Sequence, residues 1–206
     1  MRHRHFTRWA RRAAVVAAAT LAVSTLSSAP AQAATSLTSC GLRSTTKTLA
    51  ALGDTADYYL AGGGSFEFGQ IPWLLNNASR VAGNEPWNVV PGFKASSLRI
   101  GPGGTAASGY DCNATGEDSI RFFYRSPGVP GSTLHVSIAV ATPFGVAPKT
   151  YDLPGTTSGW ALSGPLAVPN QRGFLGAQIV TFAFSTTGTP ATWLIDDVLV
   201  DPWKPL

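Results

Sequence analysis

Charge is scarce in this chain of 206 residues, with Asp, Glu, Lys and Arg together making up only 13% of it. The formal net charge of +4 looks basic, but Arg2, Arg4, Arg8, Arg11 and Arg12 all lie at the extreme N-terminus, where no acid accompanies them. Beyond residue 33 there remain ten basic and eleven acidic residues, a net charge of −1. Nothing is left from which to build a basic patch for nucleic acid or anionic lipid, so neither is expected as a partner. Histidine is scarcer still, and His135 is the only one after residue 33. A single histidine with no nucleophile elbow supports neither a Ser-His-Asp set nor a zinc site. Long apolar runs are missing too. Ala13–Ala22 falls short of the roughly 20 residues needed to span a bilayer.

Cysteine is limited to Cys40 and Cys112. Neither sits in a Cys-x-x-Cys pair or beside a histidine, which argues against metal or redox chemistry. The arginine-rich start, the short apolar stretch and Ala31-Gln32-Ala33 have the three-part layout of a secretory signal peptide over residues 1–33. Arg11-Arg12 also allows a twin-arginine reading, but its flanks fit poorly and ordinary Sec export is preferred. In an exported chain the two cysteines are expected to form a disulfide. It would close a loop of roughly 70 residues, worth on the order of 4 kcal/mol in the chain-entropy model. The expected mature protein is secreted, extracellular and monomeric, with no membrane span.

What is abundant is Gly, Pro, Ser and Thr, with enough apolar and aromatic residues for a core. That composition argues for a turn-rich β protein and against a helical bundle. Period-2 alternation is clear in Ser119–Arg125 and in Thr133–Val140, where Leu134, Val136, Ile138 and Val140 share one face. Gly159–Val168, Gly176–Ser185 and Ala191–Val200 read as further strands. Shorter candidates are Ser65–Phe68, Pro72–Leu75, Ser79–Ala82, Trp87–Val90 and Ser96–Ile100. Gly101-Pro102-Gly103-Gly104 reads as a wide turn and not as a phosphate loop, because no Lys-Ser/Thr follows. Eight or more strands without helical crossovers predict an all-β, two-sheet antiparallel β-sandwich. Residues 34–206 are expected to form one domain, with a loosely structured N-terminal arm to about residue 56 and a helical turn within Ser44–Leu52.

Two segments carry charges where apolar residues belong. One is Gly62-Gly63-Gly64-Ser65-Phe66-Glu67, a glycine turn leading to a carboxylate. The other is Trp193-Leu194-Ile195-Asp196-Asp197-Val198, with two adjacent acids inside an apolar run. Charges in such places are costly unless paired. Either a bound cation or a loop rich in N–H groups would account for them.

Gly53–Leu60, Gly63–Glu67 and Trp73 open a longer pattern that continues through Val81–Pro86, Ser97-Leu98, Cys112, Ile120–Phe123 and Trp193–Pro202. Over most of the chain after residue 33, this pattern resembles a family of secreted actinobacterial proteins of unassigned function. More distantly, Gly-x-Phe-Glu with Trp-x-Ile-Asp-Asp-Val is similar to jelly-roll carbohydrate-binding modules, which share a galactose-binding-like fold. That resemblance implies a jelly roll in which the Phe-Glu and Asp-Asp segments lie side by side and often share a structural calcium. Glu67 and one of Asp196 and Asp197 would then be its side-chain ligands, completed by carbonyls of the Gly62–Gly64 turn. The alternative is that these carboxylates accept hydrogen bonds from loop N–H groups with no metal.

Among the aromatics, Trp73, Trp160 and Trp193 sit in strand-like positions and are expected in the core. Trp203 lies in the C-terminal tail as a cap. Trp87, after the polar turn Gly83-Asn84-Glu85-Pro86, and Tyr110, between Gly109 and Asp111, are the best candidates for ligand contact, since an aromatic face packs on a sugar ring. Glycoside hydrolysis needs a positioned carboxylate pair, and nothing in the sequence selects one from the loop acids Asp54, Asp57, Glu85, Asp111, Glu117, Asp118 and Asp152. Asn77-Ala78-Ser79 and Asn113-Ala114-Thr115 match the glycosylation pattern by coincidence. The expected function is therefore non-enzymatic: a secreted binding module for glycan or cell-envelope polysaccharide. The alternative is a secreted structural or protein-interaction domain with no sugar site.

Overall fold

Alternating segments of the sequence become long strands. The computed structural model describes residues 33–67, 73–92, 94–156 and 158–203. Within them lie β1 (Ala34–Thr38), β2 (Gly41–Thr45), β3 (Asp57–Leu60), β4 (Leu74–Ala82), β5 (Ser96–Ala107), β6 (Asp111–Ala114) and β7 (Ser119–Pro127). The remainder are β8 (Ser132–Thr142), β9 (Gly145–Pro154), β10 (Ser158–Leu162), β11 (Leu166–Ala167), β12 (Ala177–Gly188) and β13 (Trp193–Trp203). The expected signal peptide falls outside the described residues. Every strand pairing among the described residues is antiparallel. In β8, Leu134, Val136, Ile138 and Val140 are buried, while His135, Ser137 and Ala139 between them are partly exposed.

The fold is an antiparallel β-sandwich. One sheet sets β10, β7, β13 and the first half of β5 side by side, with β4 beyond. The other carries the end of β5 and β6 against β12, followed by β8 and β9. β4 and β5 run through both sheets, so pairing is unbroken over an 11-stranded ladder. Gly101–Gly104 is thus not a turn between strands but a corner inside β5. β4 bulges opposite it at Asn77, whose φ is 46°. Asn77 Nδ2 donates to the Pro102 carbonyl at 2.8 Å, and a Cβ on Gly101 would come 2.9 Å from Asn77 Oδ1. A Cβ on Gly104 would lie 2.5 Å from the Asn77 carbonyl and 2.8 Å from that of Gly101, so close backbone approach requires glycine at this bend.

Between the sheets, Trp73 stacks on Phe184 with ring centroids 5.7 Å apart, and Phe122 meets Phe184 edge-on at 4.9 Å. Trp193 is wholly buried and its Nε1 donates to Ser132 Oγ at 2.9 Å, which satisfies its one polar atom. Trp160 does not join this core. It packs on the outer face of the first sheet, against a second cluster of Leu49, Tyr58, Phe123 and Leu199.

Several local expectations are revised. Ser65–Glu67 is not a strand, because Phe66 takes a positive φ of 55°. Trp87–Val90 is a loop whose Trp87 and Val89 N–H groups donate to the Glu85 carboxylate. Gly159–Val168 divides into β10 and β11 around Ser163-Gly164-Pro165. β9, hidden in the sequence by Pro148 and Pro154, lies at a sheet edge, where a missing N–H is tolerated. The N-terminal arm is an ordered hairpin of β1 and β2, followed by a 3-10 turn at Ala50–Leu52. Its anchors are the Cys40–Cys112 disulfide, with a Cα separation of 5.7 Å, and the ion pair from Arg43 Nε to buried Glu117 Oε1 at 3.0 Å.

Candidate functional site

The glycine turn and the Asp-Asp segment lie side by side. Ala61 N donates to Val198 O and Val198 N to Gly64 O, each at 2.9 Å. A Cβ on Gly64 would lie 2.9 Å from the Val198 carbonyl, so this contact needs glycine. β13 changes register between Asp196 and Leu199, and Asp197 adopts a φ of 40° there. The irregularity lets both neighbouring aspartates be fully buried, in place of the strict alternation a regular strand imposes.

Their partners from outside β13 come from one loop, residues 84–95. Asp196 Oδ2 accepts from Glu85 N at 3.0 Å, and Asp196 Oδ1 from Asp197 N at 2.9 Å. Glu85, itself buried, accepts from Trp87 N at 2.5 Å and Val89 N at 2.9 Å. At the other end of the loop, Glu67 Oε1 accepts from Ala95 N at 2.9 Å and Ser96 N at 3.0 Å. Lys94 Nζ meets Asp197 Oδ1 at 3.2 Å, and both side chains are buried. The acids are thus anchors that clamp the loop to β13.

Burial raises the Asp196 carboxyl to about 8, helped by the charge of Asp197. It raises Asp197 to about 6 against the opposing pull of Lys94.

These residues do not fit a calcium ion. Calcium takes six to eight converging oxygens. Here the carboxylates are spent on N–H groups, and an ammonium already faces Asp197. No group of three or more acidic, histidine or cysteine side chains among the described residues is arranged to hold a metal. Asp197 Oδ2 is the one oxygen of the aspartate pair left buried without a hydrogen-bond partner. The N–H-rich loop accounts for the rest.

The clamp fixes an aromatic surface. Trp87, 43% exposed, lies nearly parallel to Phe123 with ring centroids 5.2 Å apart on the outer face of the first sheet. Tyr110, 87% exposed, stands elsewhere, beside a small cavity it shares with Gly62, Ser108 and Asp111. The structure does not bring the two candidate rings together. Along the sheet from Trp87 opens a groove of about 570 Å³, bordered by Arg99, Arg125 and Leu194.

His135 is paired on the outer face of the second sheet, with Nδ1 2.6 Å from Asp152 Oδ1. Of the residues that build this region, Glu85 and Lys94 escape sequence reasoning. Glu85 has only its place two residues before Trp87 as a signal, and Lys94 has none.

No protein-family model and no curated protein matches the chain. Solved structures similar to it include the carbohydrate-binding module TmCBM61 in complex with β-1,4-galactotriose. The TM-score is 0.44 at 14% identity, over 70% of this chain and 98% of that one. Another is the family 11 carbohydrate-binding module of the cellulase Lic26A-Cel5E from Clostridium thermocellum, with a TM-score of 0.43 at 13% identity, over 71% and 95%. A third is the enzymatically active domain of tailspike protein 4 of bacteriophage CBA120, with a TM-score of 0.47 at 18% identity over 68% of this chain. The match spans only 21% of that tailspike chain. Jelly-roll carbohydrate-binding modules are therefore among its structural neighbours, at low identity. Likeness at this level says nothing of ligand or chemistry.

Proposed function

We propose that this chain is an exported, non-catalytic binding module for glycan or cell-envelope polysaccharide. The observation that supports this reading is the Trp87 ring. It is half exposed, laid flat on Phe123, and held there by a loop whose backbone is clamped by Glu85 and Asp196. A rigid aromatic face of this kind gives a sugar ring a stacking surface at little entropic cost. Secretion follows from the N-terminal layout and agrees with the disulfide. Retention on immobilised polysaccharides, compared between the wild type and Trp87→Ala, tests the reading. Loss of retention is expected with a stability cost of about 1 kcal/mol from the broken ring pair. Tyr110→Ala, at a separate place, tests whether a second ring contributes. A wild type that no polysaccharide retains sinks the proposal.

A second reading, a protein-interaction domain, is favoured by exposed apolar side chains. Phe144 and Phe174 are each 100% exposed and Leu175 is 70% exposed. The β8–β9 tip carries Phe144, and the register Val180 to Val140 places that tip beside the start of β12, which Leu175 precedes. Exposed patches of this kind mark docking surfaces. Under this reading Phe144→Ser with Phe174→Ser abolishes association measured by sedimentation, whereas Trp87→Ala is silent.

A further inference from the structure

Three strands place two arginines on either side of one leucine. Leu194 of β13 pairs with Arg99 of β5 on one flank and with Arg125 of β7 on the other. Residues directly opposite one another in antiparallel strands share a face, and neighbouring strands are about 4.8 Å apart, so the two arginine Cα atoms are about 10 Å apart. Trp193 and Ile195 point into the core, which directs Leu194 and both arginines outward. Together they border the groove of about 570 Å³, with Val81, Ser126 and Thr192 among its other walls.

The two arginines mark this groove as unfilled. Neither guanidinium has an ion pair or side-chain hydrogen bond among the described residues. Most other basic side chains of the fold are engaged: Arg43 with Glu117, Arg121 with Asp54, Arg172 with Asp118, Lys94 with Asp197 and Lys47 with Asp57. Two forked donors flanking an apolar floor match an anion attached to a less polar body.

We infer that the groove between Arg99 and Arg125 binds an acidic saccharide, its carboxylate or phosphate held by the two guanidiniums and its ring laid over Leu194. This inference rests on the glycan reading above and narrows its ligand class. Phe123, on which Trp87 lies, is two residues from Arg125 on the same face of β7. A chain of sugars leaving the groove in that direction would meet the Trp87 ring.

The test uses the exported protein and three polymers: polygalacturonate, its fully methyl-esterified form, and poly(glycerol phosphate). Affinity is measured by calorimetry at several salt concentrations. The acid polymer is expected to bind about tenfold more tightly than its ester, because the charge-assisted contacts are lost on esterification. Its affinity should fall with rising salt. Arg99→Gln and Arg125→Gln should each weaken the acid polymer at least severalfold and leave the ester unchanged. Melting temperatures should stay the same, since neither guanidinium has a partner to lose. Poly(glycerol phosphate) carries the anion without a sugar ring, so tight binding of polygalacturonate supports the inference, whereas tight binding of poly(glycerol phosphate) alone shows bare anion capture and overturns the saccharide. Equal, salt-independent binding of acid and ester by the wild type overturns it while the glycan reading stands. That comparison needs no variant, so a misfolded Arg99→Gln would not spoil it. Failure to bind any of the three or any neutral polysaccharide overturns both.

Discussion

At the scale of single residues, the buried Asp-Asp pair of β13 is the most consequential feature of the chain. Both carboxyls are fully buried, and Lys94 is the cation that faces them. If Lys94 does the work of a counter-ion, added calcium has nothing to do. Melting curves in EDTA and in millimolar calcium are expected to coincide, and a rise with calcium would show a site that the ammonium does not fill. Lys94→Met should cost about 3 kcal/mol or more, because it leaves Asp197 buried without its partner. Stability should also depend on pH in an unusual sense. Asp196 and Asp197 are raised to about 8 and about 6, above the value near 3.9 of an unfolded aspartate. Protonation therefore favours the folded state, and the contribution is fully present below about pH 4. It is lost as pH rises through 6 and then 8, with the pair titrating as a unit. Urea midpoints at pH 5, 7 and 9 should fall in that order, and a rise across the series would contradict the assignment. Asp54 titrates outside this window. Burial pushes it up, but Tyr58, Ala56 and Arg121 more than compensate and hold it below its ordinary value.

At the scale of elements, the β1–β2 hairpin depends on tertiary anchors and not on its own two strands, which alone are marginal in water. Cys40–Cys112 ties its turn to β6, and Arg43 reaches Glu117 and the Cys112 carbonyl while its guanidinium sits 4.4 Å from the Tyr59 ring centre. Intact mass under non-reducing conditions should show the cysteines linked. Reduction is expected to lower stability by up to about 4 kcal/mol. Arg43→Ala should cost about 3 kcal/mol by stranding buried Glu117, and limited proteolysis should then cut within β1–β2 first. The glycine turn before Glu67 is equally dependent on its neighbour. Gly64→Ala forces a Cβ against Val198 and should cost about 2 kcal/mol, a typical overpacking penalty. Unchanged denaturant midpoints for these variants would show that the elements give way more easily than their contacts suggest.

At the scale of the whole molecule, β4 and β5 belong to both sheets, so neither sheet can come apart while the other stays paired. Unfolding is expected to be one cooperative transition, with near- and far-ultraviolet dichroism moving together. Trp193→Ala should cost on the order of 3 to 5 kcal/mol and shift both signals equally. Two separated transitions would mean that the corner at Gly101–Gly104 uncouples the sheets. No helix among the described residues is long and apolar enough to cross a membrane.

Much of the sandwich was legible because side-chain alternation is a local property. β7, β8, β12 and β13 declare themselves by which residues could share a face, and the burial of Trp73 and Trp193 followed from their strand positions. The pairing of the two cysteines was legible from their number together with the export layout of the N-terminus. β9 was not, since its prolines are acceptable only at an edge and edges exist only after assembly. The carboxylates near the two ends of the chain were visible as misplaced charges, but the choice between a cation and a loop of N–H donors was not. Glu85 and Lys94 approach Asp196 and Asp197 across more than 100 residues of sequence, a meeting that no local pattern encodes. Arg99 and Arg125 are likewise ordinary outward residues of two distant strands until Leu194 aligns them. The sequence by itself determined an all-β chain with a disulfide, and it left the exposure of the aromatics open. Tertiary structure alone decided which charges met, because pairing across strands depends on register, and register is set by the packing of the whole core.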